Sequence, residues 1–318
     1  MKILITGGAG FIGSHVGRQL VADGHEVVVL DDINDYYDPA IKRGNLAERL
    51  PGATLIEGDI RDKEVVRRAF DAGPIGAVIH LAARAGVRPS LKDPELYLST
   101  NINGTYNMLE AARQNGVKKF LFASSSSVYG VNPKVPFAED DLLQRTISPY
   151  AMTKLAGEHL CSNFSHLHGI QTICLRFFTV YGPGQRPDLA IHKFTRWINE
   201  GRPVEMYGDG DTERDYTYVD DIVQGVLGAF HYEDAAFDIF NLGESQTTKL
   251  RDLIAAIESS LGKKAIITRM PEQPGDVPRT FADISKARRL LNYQPTTKIK
   301  DGIPKFVDWF LAREHARG

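Results

Sequence analysis

Lys2-Ile3-Leu4-Ile5-Thr6-Gly7-Gly8-Ala9-Gly10-Phe11-Ile12-Gly13 decides the fold. Lys2 to Thr6 reads as a short apolar strand, the glycines as a tight turn, and Phe11 to Ala22 as a helix that follows at once. That order aims backbone N–H groups and the positive end of a helix at one point, where an anion is stabilised. The glycines permit the turn, close backbone approach and tight packing of helix on strand. Three glycines alone are a weak pattern. Set between strand and helix they predict a pyrophosphate-binding loop contacted through Gly7, Gly10, Phe11, Ile12 and Gly13.

The next strand, from Glu26, ends in Leu30-Asp31-Asp32, at the distance where a ribose-binding acid is expected. A carboxylate at Asp31 accepts hydrogen bonds from ribose hydroxyls and repels a 2′-phosphate, and no arginine adjoins it in sequence, so NAD is favoured over NADP. Further apolar runs follow at Thr54–Glu57, Ala77–Leu81, Lys119–Ser124 and Gln171–Phe178. Runs that are apolar throughout suit strands buried on both faces of a parallel sheet. Between them lie helical stretches, one opened by Asp93-Pro94 and reaching Gln114, another capped by Ser148-Pro149 and ending near Gly169. The alternation predicts an α/β fold, a Rossmann-type doubly wound parallel sheet. After Phe178 the rhythm breaks, with Pro and Gly clustered in Tyr181–Pro187 and Pro271–Pro278. We therefore expect residues 1–178, joined again by 214–243, to form the NAD-binding domain. Residues 179–213 and 244–318 would form a smaller mixed α/β domain for the substrate.

Composition excludes several classes. The 318 residues are 42% hydrophobic and 25% charged with a formal net charge of -2, which leaves no broad positive field for a nucleic-acid backbone. No apolar run approaches a membrane span or a signal peptide, so a soluble cytoplasmic protein is expected. The two cysteines, Cys161 and Cys174, have no metal or redox spacing and read as core thiols, and the histidine spacings predict no metal site.

The chemistry sits in Tyr150-Ala151-Met152-Thr153-Lys154. A spacing of four puts phenol and ammonium on one helix face, where the charge can lower the tyrosine pKa and make it a base for a hydroxyl proton. The pair gains meaning from Ser124-Ser125-Ser126-Ser127, which follows the fifth strand at the sheet edge where such sites form.

With these residues in place, the chain resembles the extended short-chain dehydrogenase/reductases, and among them the nucleotide-sugar epimerases and dehydratases. The shared landmarks are the glycine loop, Gly58-Asp59-Ile60-Arg61-Asp62, His80-Leu81-Ala82-Ala83, Asn101-Ile102-Asn103-Gly104-Thr105, Ser127-Val128-Tyr129-Gly130, Tyr150 with Lys154, and Arg214-Asp215-Tyr216. The resemblance implies a catalytic set of Ser125, Tyr150 and Lys154, with Ser126 or Ser127 able to share the serine's role. It implies NAD contacts from Asp32, Asn34, Asp59, Ile60, Leu81, Ala82, Ala83 and Asn101, besides Asp31, Tyr150 and Lys154. Dehydratases and decarboxylases of this kind carry acids before the Val-Tyr-Gly, where this chain has Ser126-Ser127. Simple 4-epimerisation of a UDP-sugar is therefore expected.

Phe178–Asp188, with Asn34–Pro39 and Lys42-Arg43, is similar to the UDP-glucuronate 4-epimerases. That likeness implies Thr179 and Arg186 as carboxylate binders, Ser127 at the sugar, Arg214 at the diphosphate, and Gln273 and Asp276 near phosphate or ribose. Neutral-sugar epimerases often carry arginine where Gln273 stands. A UDP-glucose or UDP-N-acetylglucosamine 4-epimerase is the nearest alternative, and a non-catalytic nucleotide-binding scaffold is the alternative of another class. The helices around Asp93–Gln114 and Ser148–His168 resemble the intersubunit pair of these enzymes, so a homodimer is expected.

Overall fold

The computed structural model describes residues 1–143, 145–271 and 278–315. Strands β1 (Lys2–Thr6), β2 (Glu26–Asp31), β3 (Thr54–Glu57), β4 (Ile75–His80), β5 (Lys119–Ser125) and β6 (Gln171–Phe177) are followed by β7 (Thr179–Tyr181), β8 (Pro203–Tyr207), β9 (Glu213–Tyr218), β10 (Phe237–Leu242), β11 (Thr247–Lys249) and β12 (Ile266–Met270). Seven of them form one sheet in the order β10-β6-β5-β4-β1-β2-β3, parallel throughout. The expected doubly wound parallel sheet is therefore present. Its order reverses between β1 and β4, and the crevice outside the strand ends at such a reversal is where ligands bind.

The apolar runs work because successive side chains point to opposite faces. Ile3 and Ile5 enter one core cluster and Leu4 the other, and Val27 and Val29 part from Val28 in the same way. Helices cover both faces. The helix Phe11–Ala22 has the predicted bounds, and Pro149–His168 is capped by Ser148, whose hydroxyl accepts from Ala151 N–H at 3.1 Å, and closed by Gly169 in the left-handed region.

Three expectations need adjustment. Leu81 and Phe178 lie just beyond β4 and β6, so both are free to turn toward the crevice. The stretch from Pro94 to Gln114 is helical but broken, with a π-helical segment at Leu98–Gly104 between Pro94–Tyr97 and Thr105–Gln114. That wider turn carries Asn101, in keeping with the tendency of such bulges to occur at functional sites. Of the returning segment, only Phe237–Leu242 joins the main sheet, while β9 lies between β11 and β7 in a separate three-stranded sheet. A two-stranded sheet of β12 and β8 completes the strand pairing.

Asp215 organises this second part. Fully buried, its carboxylate accepts from Glu244 N–H (2.7 Å), Thr217 Oγ1 (3.2 Å), Ser245 N–H (3.1 Å) and Ala282 N–H (3.1 Å), so it joins β9 to two separate loops. Burial pushes its pKa up to about 6 against those donors. Asp215→Asn would turn an amide N–H₂ toward backbone N–H groups that need an acceptor. We expect it to destabilise the chain by roughly 2–5 kcal/mol in urea denaturation, about one to three for each stranded group. An unchanged urea midpoint would show that those amides find other acceptors.

Candidate active site

A cavity of about 490 Å³ opens at the strand ends around the reversal point. Its wall includes Gly7, Gly10, Phe11, Ile12 and Gly13 from the first turn, Asp31, Asp32 and Asn34 at and beyond the end of β2, and Asp59 and Ile60 after β3. Leu81, Ala82 and Ala83 after β4, Ser124 to Ser127 at the end of β5, Tyr150, Lys154, Thr179 and Arg186 complete the side that concerns chemistry.

The glycine turn leaves no room for side chains. A Cβ at Gly7 would stand 2.8 Å from the Ala82 nitrogen, and one at Gly13 2.3 Å from the Gly7 oxygen. Gly10 provides no side-chain cap for the helix that starts at Phe11, so its first N–H groups can meet an anion. Asp31 shapes the same turn, because its carboxylate accepts from Ala9 N–H (3.1 Å) and Ile33 N–H (3.0 Å). These residues fit a dinucleotide such as NAD, with the glycines and helix end at the pyrophosphate and the acids at a ribose.

Sequence reading missed Lys42 as an individual contact. Its ammonium lies 3.2 Å from Asp31 and 3.4 Å from Asp32, buried beneath the cofactor side of the cavity. Adjacent sequence around Asp31 holds no cation, but the helix Pro39–Arg49 folds back and supplies one. Burial raises the Asp31 pKa and Lys42 opposes the rise. Asp31 therefore acts partly as an organiser of the loop rather than as a lone repelling charge.

Asn101, expected among the cofactor contacts, stands behind the cavity wall. Its amide oxygen accepts from Arg84 N–H at 2.8 Å, and its amide nitrogen donates to Arg84 O and to Thr153 Oγ1, both at 3.0 Å. It fastens the segment after β4 to the helix of Tyr150.

Tertiary contacts separate the four serines. Ser124 turns inward and donates to Glu158, which pairs with Arg176 through Nε (2.9 Å) and Nη2 (2.8 Å). Ser125 meets the Tyr150 phenol and also receives Ser127 N–H at 3.2 Å. Burial raises the Tyr150 pKa, and the hydrogen bond with Ser125 and the charge of Arg186 counter part of that rise. Lys154 shares the helix face, yet its ammonium donates to the Ala123 carbonyl at 2.7 Å, and burial lowers its pKa to about 8. In this geometry the charge of Arg186 also reaches the phenol. Spacing along one helix could not show a residue arriving from the loop after β7.

Arg214 lies elsewhere, on a neighbouring cavity of about 500 Å³ with Arg88, Lys193, Glu205, Tyr207 and Asp188. Gln273 and Asp276 lie outside the described residues. No group of histidines, cysteines and acids able to hold a metal occurs among the described residues.

Fold and site together define a doubly wound, dinucleotide-dependent enzyme whose cavity wall includes Ser125, Tyr150 and Lys154. The chain belongs to the NAD dependent epimerase/dehydratase family, whose model matches residues 3–243. It is 42% identical to UDP-glucuronate 4-epimerase 4 of Arabidopsis thaliana over 98% of this chain and 76% of that one. Among solved structures it resembles a UDP-glucuronic acid 4-epimerase from Bacillus cereus in complex with UDP-glucuronic acid and NAD, with a TM-score of 0.92, 37% identity, and 98% and 100% of the two chains covered. A Thermus thermophilus UDP-glucose 4-epimerase in complex with NAD gives a TM-score of 0.89 and 36% identity, covering 98% and 99%. NAD is the cofactor.

Removing Asp31 tests the cofactor side. Asp31→Ala is expected to weaken NAD binding and, by leaving Lys42 with only Asp32, to narrow the preference over NADP by at least about tenfold, the worth of roughly 1.4 kcal/mol. Titration of cofactor-stripped protein with both nucleotides measures this. A parent protein that binds NADP more tightly would overturn the assignment.

Proposed function

We propose that this enzyme interconverts UDP-glucuronate and UDP-galacturonate by inverting C4. The observation that carries the choice of sugar is Arg186, a cation with a mostly buried side chain on the wall beside Tyr150, with Thr179 close by in the same cavity. A carboxylate at C6 needs such a fixed cation and donor, whereas a neutral hexose needs only hydroxyl partners. Residues 1–178 with 237–242 would hold the cofactor, and the neighbouring cavity that Arg214 lines would take the UDP side of the nucleotide sugar.

NAD bound at the glycine turn supplies a reversible acceptor for the C4 hydride. Tyr150, once ionised to the phenolate, would take the O4 proton, with Ser125 holding its oxygen and the reacting oxygen in line. Lys154 keeps a positive group behind them, anchored on Ala123. The keto sugar then turns over, is reduced on its other face, and regains its proton from Tyr150. Ser126 and Ser127 supply no acid for a further elimination.

One observation favours a neutral sugar as a second reading. Arg186 already has a carboxylate partner, Asp188, at 3.0 Å from Nε and 2.8 Å from Nη2, so a hexose without charge would not strand it.

We also infer a cytoplasmic homodimer. The neighbouring thiols Cys161 and Cys174 are free, as a reducing compartment keeps them. Leu98, Tyr106, Met152 and Leu167 leave apolar side chains exposed on the two helical stretches expected to pair between subunits. Light scattering at micromolar concentration should return twice the chain mass, and a monomer alone would refute the pairing.

Arg186→Ala decides between the sugars. Loss of charge-assisted hydrogen bonds of about 1.5–3 kcal/mol should slow epimerisation of UDP-glucuronate by roughly 10- to 100-fold. Any neutral UDP-hexose that the parent accepts should slow less, and only by what the charge of Arg186 contributes at Tyr150. NMR of the C4 configuration on both substrates reads the result. Equal losses on the two sugars would remove the carboxylate-specific role and favour the neutral substrate.

A further inference from the structure

Arg186, in the loop between β7 and the helix Ala190–Asn199, is held from three sides. Its backbone is anchored by buried Gln185, whose amide donates to Val180 O at 3.1 Å, and whose own carbonyl meets His192 Nδ1 at 2.7 Å. The ring of Tyr36 lies 5.3 Å from the guanidinium carbon. Asp188 takes one edge of the guanidinium through Nε and Nη2, and no protein acceptor meets Nη1 among the described residues. Burial works against the charge of Arg186, but Asp188 more than offsets it. Asp188 also lies on the wall of the neighbouring cavity, while Arg186 lies on that of the first.

We propose that Asp188 is a positioning residue for Arg186: by holding the Nε/Nη2 edge, it orients the guanidinium so that the Nη1 edge receives a sugar carboxylate in one fixed direction. The inference rests on the uronate reading above and adds the residue that sets the arginine's angle. A planar guanidinium has five donors in a rigid fork, so fixing one edge fixes the other. Direction matters because oxidation at C4 makes the uronate a β-keto acid. If the carboxylate rotates until the C5–C6 bond lines up with the ketone, that bond breaks and CO₂ departs. The electron pair then passes into an enolate at C4, and a proton adds at C5 to give a keto pentose. An arginine that is present but free to swing would still attract the carboxylate, and would no longer prevent that rotation.

This separates a role in orientation from a role in binding. Parent, Asp188→Asn, Arg186→Ala and the double variant are compared, all loaded with NAD. Calorimetry gives the affinity for UDP-glucuronate and for UDP-glucose, and NMR gives the ratio of epimer to UDP-pentose. Asp188→Asn should leave UDP-glucuronate affinity within about threefold, because the cation remains, and raise the pentose fraction by about tenfold. In the Arg186→Ala background the same substitution should change neither quantity by more than about twofold, since residues acting through one another are not additive.

Effects of Asp188→Asn that persist undiminished without Arg186 would overturn the proposal, as would weakened binding of both sugars with no rise in pentose. A parent that binds UDP-glucuronate without epimerising it would refute the substrate reading alone. The difference between the two sugars' affinities across the four proteins then judges the pairing, and additivity would sink it.

Discussion

Everything in the cofactor half depends on how closely three stretches of backbone approach one another at the end of β1. Gly7 stands against Leu81 and Ala82, Gly13 against Gly7, and Asp31 draws Ala9 toward the end of β2. Any side chain at Gly7 or Gly13 would push apart strand and helix, and with them the neighbouring ends of β2 and β4. The parallel order places those ends together, and the uncapped start of the Phe11–Ala22 helix gives the resulting hollow its preference for an anion.

A second constraint holds the reacting groups to this frame. Glu158 lies two turns beyond Tyr150 on the same helix and is buried with Arg176 of β6. Ser124 donates to that acid, and Arg176 Nη1 donates to Tyr129 at 2.9 Å. Tyr129 in turn donates to Asn241 of β10 at 2.7 Å. A buried ion pair gains little in net stability over apolar packing, but breaking one side of it is costly. Here it links the helix of Tyr150 and Lys154 to β5, β6 and β10, and it turns Ser124 away so that Ser125 faces the phenol. The placement of Tyr150 and Lys154 thus rests on a buried network that joins their helix to the sheet.

The cavity joins two kinds of surface. On the cofactor side, acids and Lys42 are paired among themselves. On the other side, Tyr36, Tyr97 and Tyr150 gather about Arg186, whose charge opposes part of the burial-driven rise in the pKa of Tyr97 and Tyr150. The arginine's partner is an acid of its own loop. A site arranged so that its cation is already compensated can remain folded before a carboxylate arrives, since an unpaired buried guanidinium would be strongly destabilising.

Sequence alone determined the parallel sheet, the glycine turn, the helices with their Ser148 and Gly169 ends, and the Tyr150–Lys154 face, because each follows from local periodicity or from neighbours a few residues apart. Boundaries slipped where apolar residues such as Leu81 and Phe178 continue past the last ladder hydrogen bond. Only the tertiary structure decided which of the four serines meets Tyr150, that Lys42 reaches Asp31 and Asp32, that Asn101 works from behind the wall, and that the charge of Arg186 reaches the phenol. Each of these depends on a contact between segments brought together by helix and strand packing. A hydrogen bond or ion pair of that kind leaves no period in the sequence, since its partners are chosen by distance in space and by the exclusion of water around them.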